Sequence, residues 1–511
     1  MHKPRPILMI GLDAADHVLV EKWISDGSLP NLTALKKSGS YGRLATSAKY
    51  LAGSPWPTFY TGLPPCHHGI YHDFQWCQEQ MAYQAPSSHW VPAEPWWRHI
   101  QGDVKVIVYD VPMTLSCTPF GGLEITGWAS HDKLAPPASH PSDLLFNIRK
   151  RFGEWPIPPE DFGRSSIHDL LKLCQTLIDN THKSTQLALW LLQHPWDLGI
   201  VVFSALHRGT HRLWDRTSID GHIGELEGSN FDCALRDLYI ACDHSIGRLI
   251  DAHPDATIFV FSLHGMMVNT SRVDFMDGML ARVLGKEYSN SGSQGLVRRL
   301  GEKLPLDLRR LLTRSVPAKL KNRLMTLWTT GGIAWSQTPV FNLRADLQGY
   351  IRFNKEGREP EGIISPGIAY EELYEQISEG LLSFRDDTTG EAIIKAIHNT
   401  DQLYPDGPRR HRLPDMIIRW EETSAAKHSG VVSQYYGRVH RSTPGRIPNG
   451  RSGNHRGEGF LIASGPGIAQ NNELMEGADI MDIAPTVLKA LGVSCKSPLA
   501  GRSIPGIIQS P

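Results

Sequence analysis

The sequence predicts an open α/β fold: a mostly parallel central sheet, helices on both faces, and an inserted cap segment. Three observations carry that prediction. Short, mostly apolar runs recur at residues 7–10, 199–203 and 257–262, of the kind that fully buried parallel strands use. Long amphipathic stretches at 167–192 and 231–251 lie between them, so strands and helices alternate. Each run is followed within a few residues by a ligating side chain, Asp13, His207 or His264. In open α/β sheets the carboxyl edge is where ligands bind.

At 511 residues the chain exceeds one ordinary core, which points to one large domain with a substantial insertion, or to two domains. The 52 Lys and Arg against 53 Asp and Glu leave a net charge of −1, which argues against a nucleic-acid or anionic-membrane surface. No apolar run approaches the roughly 18 residues that a membrane span needs. The run at 7–10 is too short for a secretory signal and ends in Gly-Leu-Asp, like a strand. The seven cysteines are scattered without a CxxC pair, as in a reduced, cytoplasmic protein with no disulfide framework and no cysteine zinc site.

In chain order, 7–10 is the first strand, and 18–24 and 32–37 are helical pieces, with Gly39 as a stop. Around 52–62 small residues precede a proline-rich turn, and 56–60 starts a helix. Ser54 before it fits a helix cap, or a hydroxyl placed where an anion is favoured. Residues 104–109 form a strand ahead of the helix at 167–192. From about 269 to 427 the alternation loosens. There 298–327 is a basic, helical surface element, 350–354 and 415–420 are strands, and 371–383 is a helix. Strand 459–464 and a helix over 480–492, with Pro485 inside it and Gly492 as its cap, complete the chain. The expected division is a core of 1–268 and 428–511, with 269–427 a mixed segment that holds a helical cap-like insertion and returning core strands.

The stretch 201–214 organises the rest. If the chain turns helical after Ser204, His207 and His211 lie one turn apart on one face. Two imidazoles so placed can hold one divalent cation, Zn²⁺ foremost. An isolated pair at this spacing is more often a pair of surface or capping histidines, so its weight here comes from the similar residues that follow other strands.

Six stretches, in order, resemble the alkaline phosphatase superfamily in its type I phosphodiesterase/nucleotide pyrophosphatase branch. They are Ile-Gly-Leu-Asp at 10–13, Gly-Ser-Leu-Pro-Asn-Leu at 27–32, Thr-Phe-Tyr-Thr-Gly at 58–62 with His-Gly-Ile at 68–70, Phe-Ser-Leu-His-Gly-Met at 261–266, Asn-His-Arg at 454–456, and Asp-Ile-Ala-Pro-Thr at 482–486 with Ala-Gly-Arg-Ser-Ile at 500–504. Residues 354–362, Asn-Lys-Glu-Gly-Arg-Glu-Pro-Glu-Gly, also resemble a segment of that branch. The resemblance implies metals at the strand carboxyl ends, activating a nucleophile and neutralising charge on the transferred group. It implies one ion held by His207, His211 and His455, with His207 where Asp is usual, and a second site that draws on Asp13 and His264.

Two departures qualify this. Leu263 replaces a carboxylate of the second site, so one Zn²⁺ is expected and a second is doubtful. The family's nucleophile position falls on Ala52, which cannot attack. Ser54, two residues on, serves as the catalytic residue only if the loop is shifted; otherwise a water at the metal, its pKa lowered to about 7, does the work. The expected function is metal-dependent hydrolysis of a small phosphate ester, phosphodiesterase- or phosphatase-like, with no nucleic-acid polymer and no membrane as partner. Transfer or cleavage of a sulfate, phosphonate or acyl group, or binding without catalysis on a decayed hydrolase scaffold, remain the alternatives.

Overall fold

The structure is a computed structural model, and it describes residues 5–88, 94–115, 120–130, 133–155, 165–219, 230–285, 333–441, 450–470, 472–473 and 476–509. The expected basic helix at 298–327 lies outside the described residues. Two compact units divide the chain. The first comprises Met1–Asp73, Ser87–Asn269 and Arg446–Pro511, and the second Phe74–Pro86 and Thr270–Gly445.

The first unit is built on a nine-stranded sheet. Its strands are β1 (Ile7–Leu12), β2 (Ser40–Ala45), β3 (Val106–Tyr109), β4 (Gly122–Thr126), β5 (Ala138–His140), β6 (Leu198–Phe203), β7 (Thr257–Ser262), β10 (Glu458–Ser464) and β11 (Asn472–Glu473). A separate ribbon pairs β8 (Gly265–Val268) with β9 (Gly453–Arg456). The order across the sheet is β11-β2-β10-β7-β1-β6-β3-β4-β5. β7, β1, β6, β3 and β4 run parallel to one another, while β10 is antiparallel to both of its neighbours and β5 to β4. The sheet is therefore mostly parallel, as expected.

Period-two alternation sends the residues of β1 to opposite faces. Leu8, Ile10 and Leu12 join a cluster that includes residues of α1 (His17–Ser25), α2 (Pro30–Ser38), α4 (Ile167–Leu191), α5 (Ala205–Leu213) and α6 (Phe231–Ala252). Ile7 and Met9 join the opposite cluster, with Trp56 and Phe59 of α3 (Pro55–Thr61) and Val487 and Leu491 of α7 (Ile483–Leu491). Both faces are thus covered by helices, which is why the central strands read as continuous apolar runs.

The last helix begins at Ile483 rather than 480, because 480–482 form a tighter turn. That places Pro485 in its first turn, where a backbone N–H has no partner inside the helix and its loss costs little. Gly492 caps it in the left-handed conformation, at φ 68°.

The second unit has a four-stranded antiparallel sheet ordered Val340–Leu343, Gly349–Phe353, Met416–Trp420, Ile394–Asn399. It packs with Met276–Val283 and Ile368–Leu382 around its own core. Gly430–Ser433 pairs with Arg385–Asp386 in this unit, so the chain returns to the first unit at Arg446.

Candidate metal centre

Three histidines from two elements converge at the carboxyl edge of the central strands. His207 and His211 project from α5, which follows β6 directly and carries them one turn apart. His455 comes from β9, aligned opposite Met266 of β8, so the small ribbon delivers it to the same place. Its Nε2 lies 3.2 Å from Nε2 of His207 and 3.3 Å from Nε2 of His211. All three residues are buried.

The opposite ring nitrogens are held from outside. His207 Nδ1 donates to Asp13 Oδ2 at 2.9 Å, and His211 Nδ1 donates to the Gly453 carbonyl at 2.9 Å. A carbonyl can only accept, so the His211 proton sits on Nδ1 and its Nε2 presents a lone pair. The carboxylate imposes the same tautomer on His207. Gly453 is required for this approach, since a Cβ there would meet the Thr210 carbonyl oxygen at 2.2 Å.

Asp13 stands just past β1, and Ala14 after it takes a left-handed φ of 63°. Its second oxygen, Oδ1, accepts from Trp56 Nε1 at 2.8 Å. Burial pushes the Asp13 carboxyl up, but His207, together with His264 and Trp56, outweighs burial and holds it below the usual range. The carboxylate therefore stays ionised beside His207. Trp56 is the residue that sequence reasoning missed: in the pattern it is only an aromatic at a helix start.

Three nitrogens set 3.2–3.3 Å from one another across two pairs suit a cation. Tetrahedral zinc with bonds of about 2.0–2.1 Å places its nitrogens roughly 3.3 Å apart. The histidines therefore fit a metal by donor type, spacing and tautomer, and among the described residues they are the cluster with this geometry.

The other two expected ligands lie beside this cluster. His264 follows β7, and its ring stacks on His455 with centroids 4.5 Å apart. Its Nε2 is 3.7 Å from Asp13 Oδ1, the oxygen that Trp56 already engages. Leu263, at the position of the missing carboxylate, is buried in the apolar core.

Ser54 is fully buried at the start of α3, yet its side chain does not cap the helix. The hydroxyl lies 2.7 Å from both Ser47 Oγ and the Leu51 carbonyl. From Ser47 contacts continue to Thr58 at 3.3 Å and to His68 Nε2 at 3.1 Å. His68 Nδ1 accepts from the Ile70 N–H, so its Nε2 carries the proton. Burial also lowers the His68 pKa to about 3. That histidine donates into the chain and is not a base for it. None of the hydrogen bonds described for Ser54 reaches His207, His211 or His455.

Among the described residues no helix is long and apolar enough to cross a membrane. The family described as type I phosphodiesterase / nucleotide pyrophosphatase matches residues 7–430. No curated protein matches the sequence. Among solved structures, phosphonoacetate hydrolase from Sinorhizobium meliloti 1021, in complex with phosphonoacetate, is similar at a TM-score of 0.51, with 12% identity over 96% of each chain. Human ectonucleotide pyrophosphatase/phosphodiesterase 5 aligns at 0.49, with 12% identity over 99% of this chain and 100% of that one. The murine protein, an inactive form in complex with AMP, aligns at 0.46, with 13% identity over 97% of each.

Proposed function

From the premise that the chain belongs to the type I phosphodiesterase/nucleotide pyrophosphatase family, a family of hydrolases, we propose that it is a metal-dependent hydrolase of small phosphate esters with a divergent, single-ion site. One observation carries the reading: three Nε2 atoms converge while a carboxylate and a carbonyl claim the opposite nitrogens of His207 and His211. His207, His211 and His455 would hold the ion, with Zn²⁺ the identity that an all-imidazole set favours. When bound, such an ion polarises the ester and lowers the pKa of water.

The chain's own residues set the stage for that chemistry. Asp13 fixes the His207 tautomer, and Trp56 fixes Asp13. Gly453 does for His211 what Asp13 does for His207. Asp13 spends both oxygens in this way, which supports one ion rather than two. The Ser54 hydroxyl is engaged within its own loop, which favours direct hydrolysis over attack by Ser54. The scattered cysteines, with no CxxC pair, favour a reduced, cytoplasmic setting.

The test is metal analysis of the purified protein together with turnover of paired aryl phosphodiesters and monoesters, before and after chelation. About one zinc per chain, and turnover that chelation removes and zinc restores, is the expected result. Turnover that survives complete loss of metal would sink the proposal.

A further inference from the structure

Three residues after Asp13 stands a second aspartate, Asp16, at the start of α1. It caps that helix: Oδ1 accepts from the N–H groups of Val18 and Leu19 at 3.1 and 3.2 Å. An exposed cap leaves its second oxygen to water. Asp16 is 0% exposed, so Oδ2 needs partners inside the protein, and it finds them on the ribbon that carries His455.

That one oxygen meets both strands of the ribbon. On β8 the Met266 N–H donates to Oδ2 at 3.2 Å. On β9 the Nε of Arg456, the residue after His455, lies 3.6 Å from the same oxygen in an ion pair. Met266 aligns with His455, and Gly265 with Arg456, so the anchor falls at the very pairs that include the histidine. Gly265 permits the approach, since a Cβ there would meet Oδ2 at 2.5 Å. Asp16 is itself held in place, because its backbone N–H donates to the Tyr239 hydroxyl of α6 at 2.9 Å. The ribbon needs such an anchor. It is a separate two-stranded sheet of four residues a side, and two paired strands are only marginally stable alone.

The turn from 13 to 16 therefore serves both halves of the histidine cluster. Asp13 orients His207 on α5, while Asp16 holds the strand pair that brings His455 Nε2 within 3.2–3.3 Å of the other two. We propose that Asp16 is a positioning residue for the metal centre: its Oδ2 clamps the β8–β9 ribbon and so sets the reach of His455 toward His207 and His211. The clamp stands on the bonds around Asp16, and its purpose rests on the reading of the three histidines as metal ligands.

Asp16→Ser separates the two duties of the side chain. Serine caps a helix about as well as aspartate, but its one oxygen cannot hold Met266 as well. In metal-free protein, amide hydrogen exchange at 265–268 and 453–456 should become at least about tenfold faster, with β1 and β6 unchanged. Zinc affinity, read by chelator competition, should weaken about tenfold, the low end for a residue that supports a ligand. Arg456→Met loosens the β9 half alone and should weaken zinc several-fold, which keeps the test open should Asp16→Ser not fold. Val20→Ala is the control: it truncates a buried side chain of α1 away from the clamp, so the melting temperature should fall while zinc affinity holds. Unchanged exchange in the ribbon overturns the clamp. A looser ribbon with wild-type zinc affinity, or a zinc loss that Val20→Ala reproduces, overturns the positioning role. If wild-type protein binds no zinc, the metal reading falls and the positioning role with it, while the exchange measurement still decides the clamp.

Discussion

Each compact unit buries a polar cluster, and the two are wired differently. In the second unit, Arg358 grips Asp415 with two parallel hydrogen bonds of 2.6 and 2.7 Å and reaches Glu359 at 2.9 Å. Arg352, fully buried, bonds Glu359 at 2.7 Å, the Leu413 carbonyl at 2.6 Å and Gln78 at 2.9 Å. Lys355 adds a third cation at 2.9 Å from Asp415. Every cation there meets an anion, and a bidentate Arg–carboxylate pair is the strong form of such contacts. In the first unit, His207, His211 and His455 point like atoms at one another. Opposite charges paired off make a structural knot, whereas lone pairs aimed at a common point make a receptor for a cation.

The comparison breaks most visibly in the second unit. Asp415→Ala leaves buried cations without their partner, so unfolding free energy should fall by about 3–5 kcal/mol in denaturant titrations, with metal content unchanged. Burial raises the Asp415 carboxyl, but Arg358 and then Lys355 overcome it and leave the pKa far below 3.8. The unfolded state therefore binds the proton more readily, and the stabilisation is complete above the unfolded pKa near 3.8. It is lost as pH falls through the depressed folded value. The gap between wild type and variant should be full at pH 7 and close only in strong acid. A gap that widens on acidification would contradict this.

His455→Ala should do the reverse. Zinc content should drop from about one per chain toward none, and turnover should fall by more than the ~100-fold that losing an outer partner costs. The melting temperature of the metal-free protein should barely move. Asp13→Asn keeps the shape but removes the charge behind His207, so metal affinity should weaken by about 10–100-fold and recover at high zinc. Unchanged affinity would mean that Asp13 does not tune this site. The smallest effect is expected of Ser54→Ala, which should keep more than about a tenth of the rate, a loss under ~1.4 kcal/mol of barrier. A collapse of several orders of magnitude, in folded and metal-loaded protein, would restore Ser54 as the nucleophile.

The segment 354–362 carries part of the family resemblance, and the fold shows what its residues do. Lys355, Arg358 and Glu359 are members of the knot around Asp415. Gly362 is there because a Cβ would meet the Lys355 carbonyl oxygen at 2.1 Å as the loop folds back. Nothing in the nine residues by themselves distinguishes a folded-back loop from a binding loop, because the partner Asp415 lies more than fifty positions away.

Local pattern was enough for the parallel core. Residues 257–262 form a strand with those bounds, and the α5 pair takes the helical spacing that puts His207 and His211 on one face. Periodicity and end signals act over a few residues, so they survive in the sequence. What the pattern left out depends on residues far apart in the chain. The antiparallel placement of β10 between β2 and β7, the ribbon that aligns His455 with Met266, and the hydrogen bond from Trp56 to Asp13 are decided by packing. The same holds for tautomers: whether His211 offers Nε2 depends on a carbonyl 242 positions away, at Gly453. A ligand set requires only residue types, which a sequence lists, but a competent donor atom requires a neighbour to hold the other proton, and that neighbour is chosen by the fold.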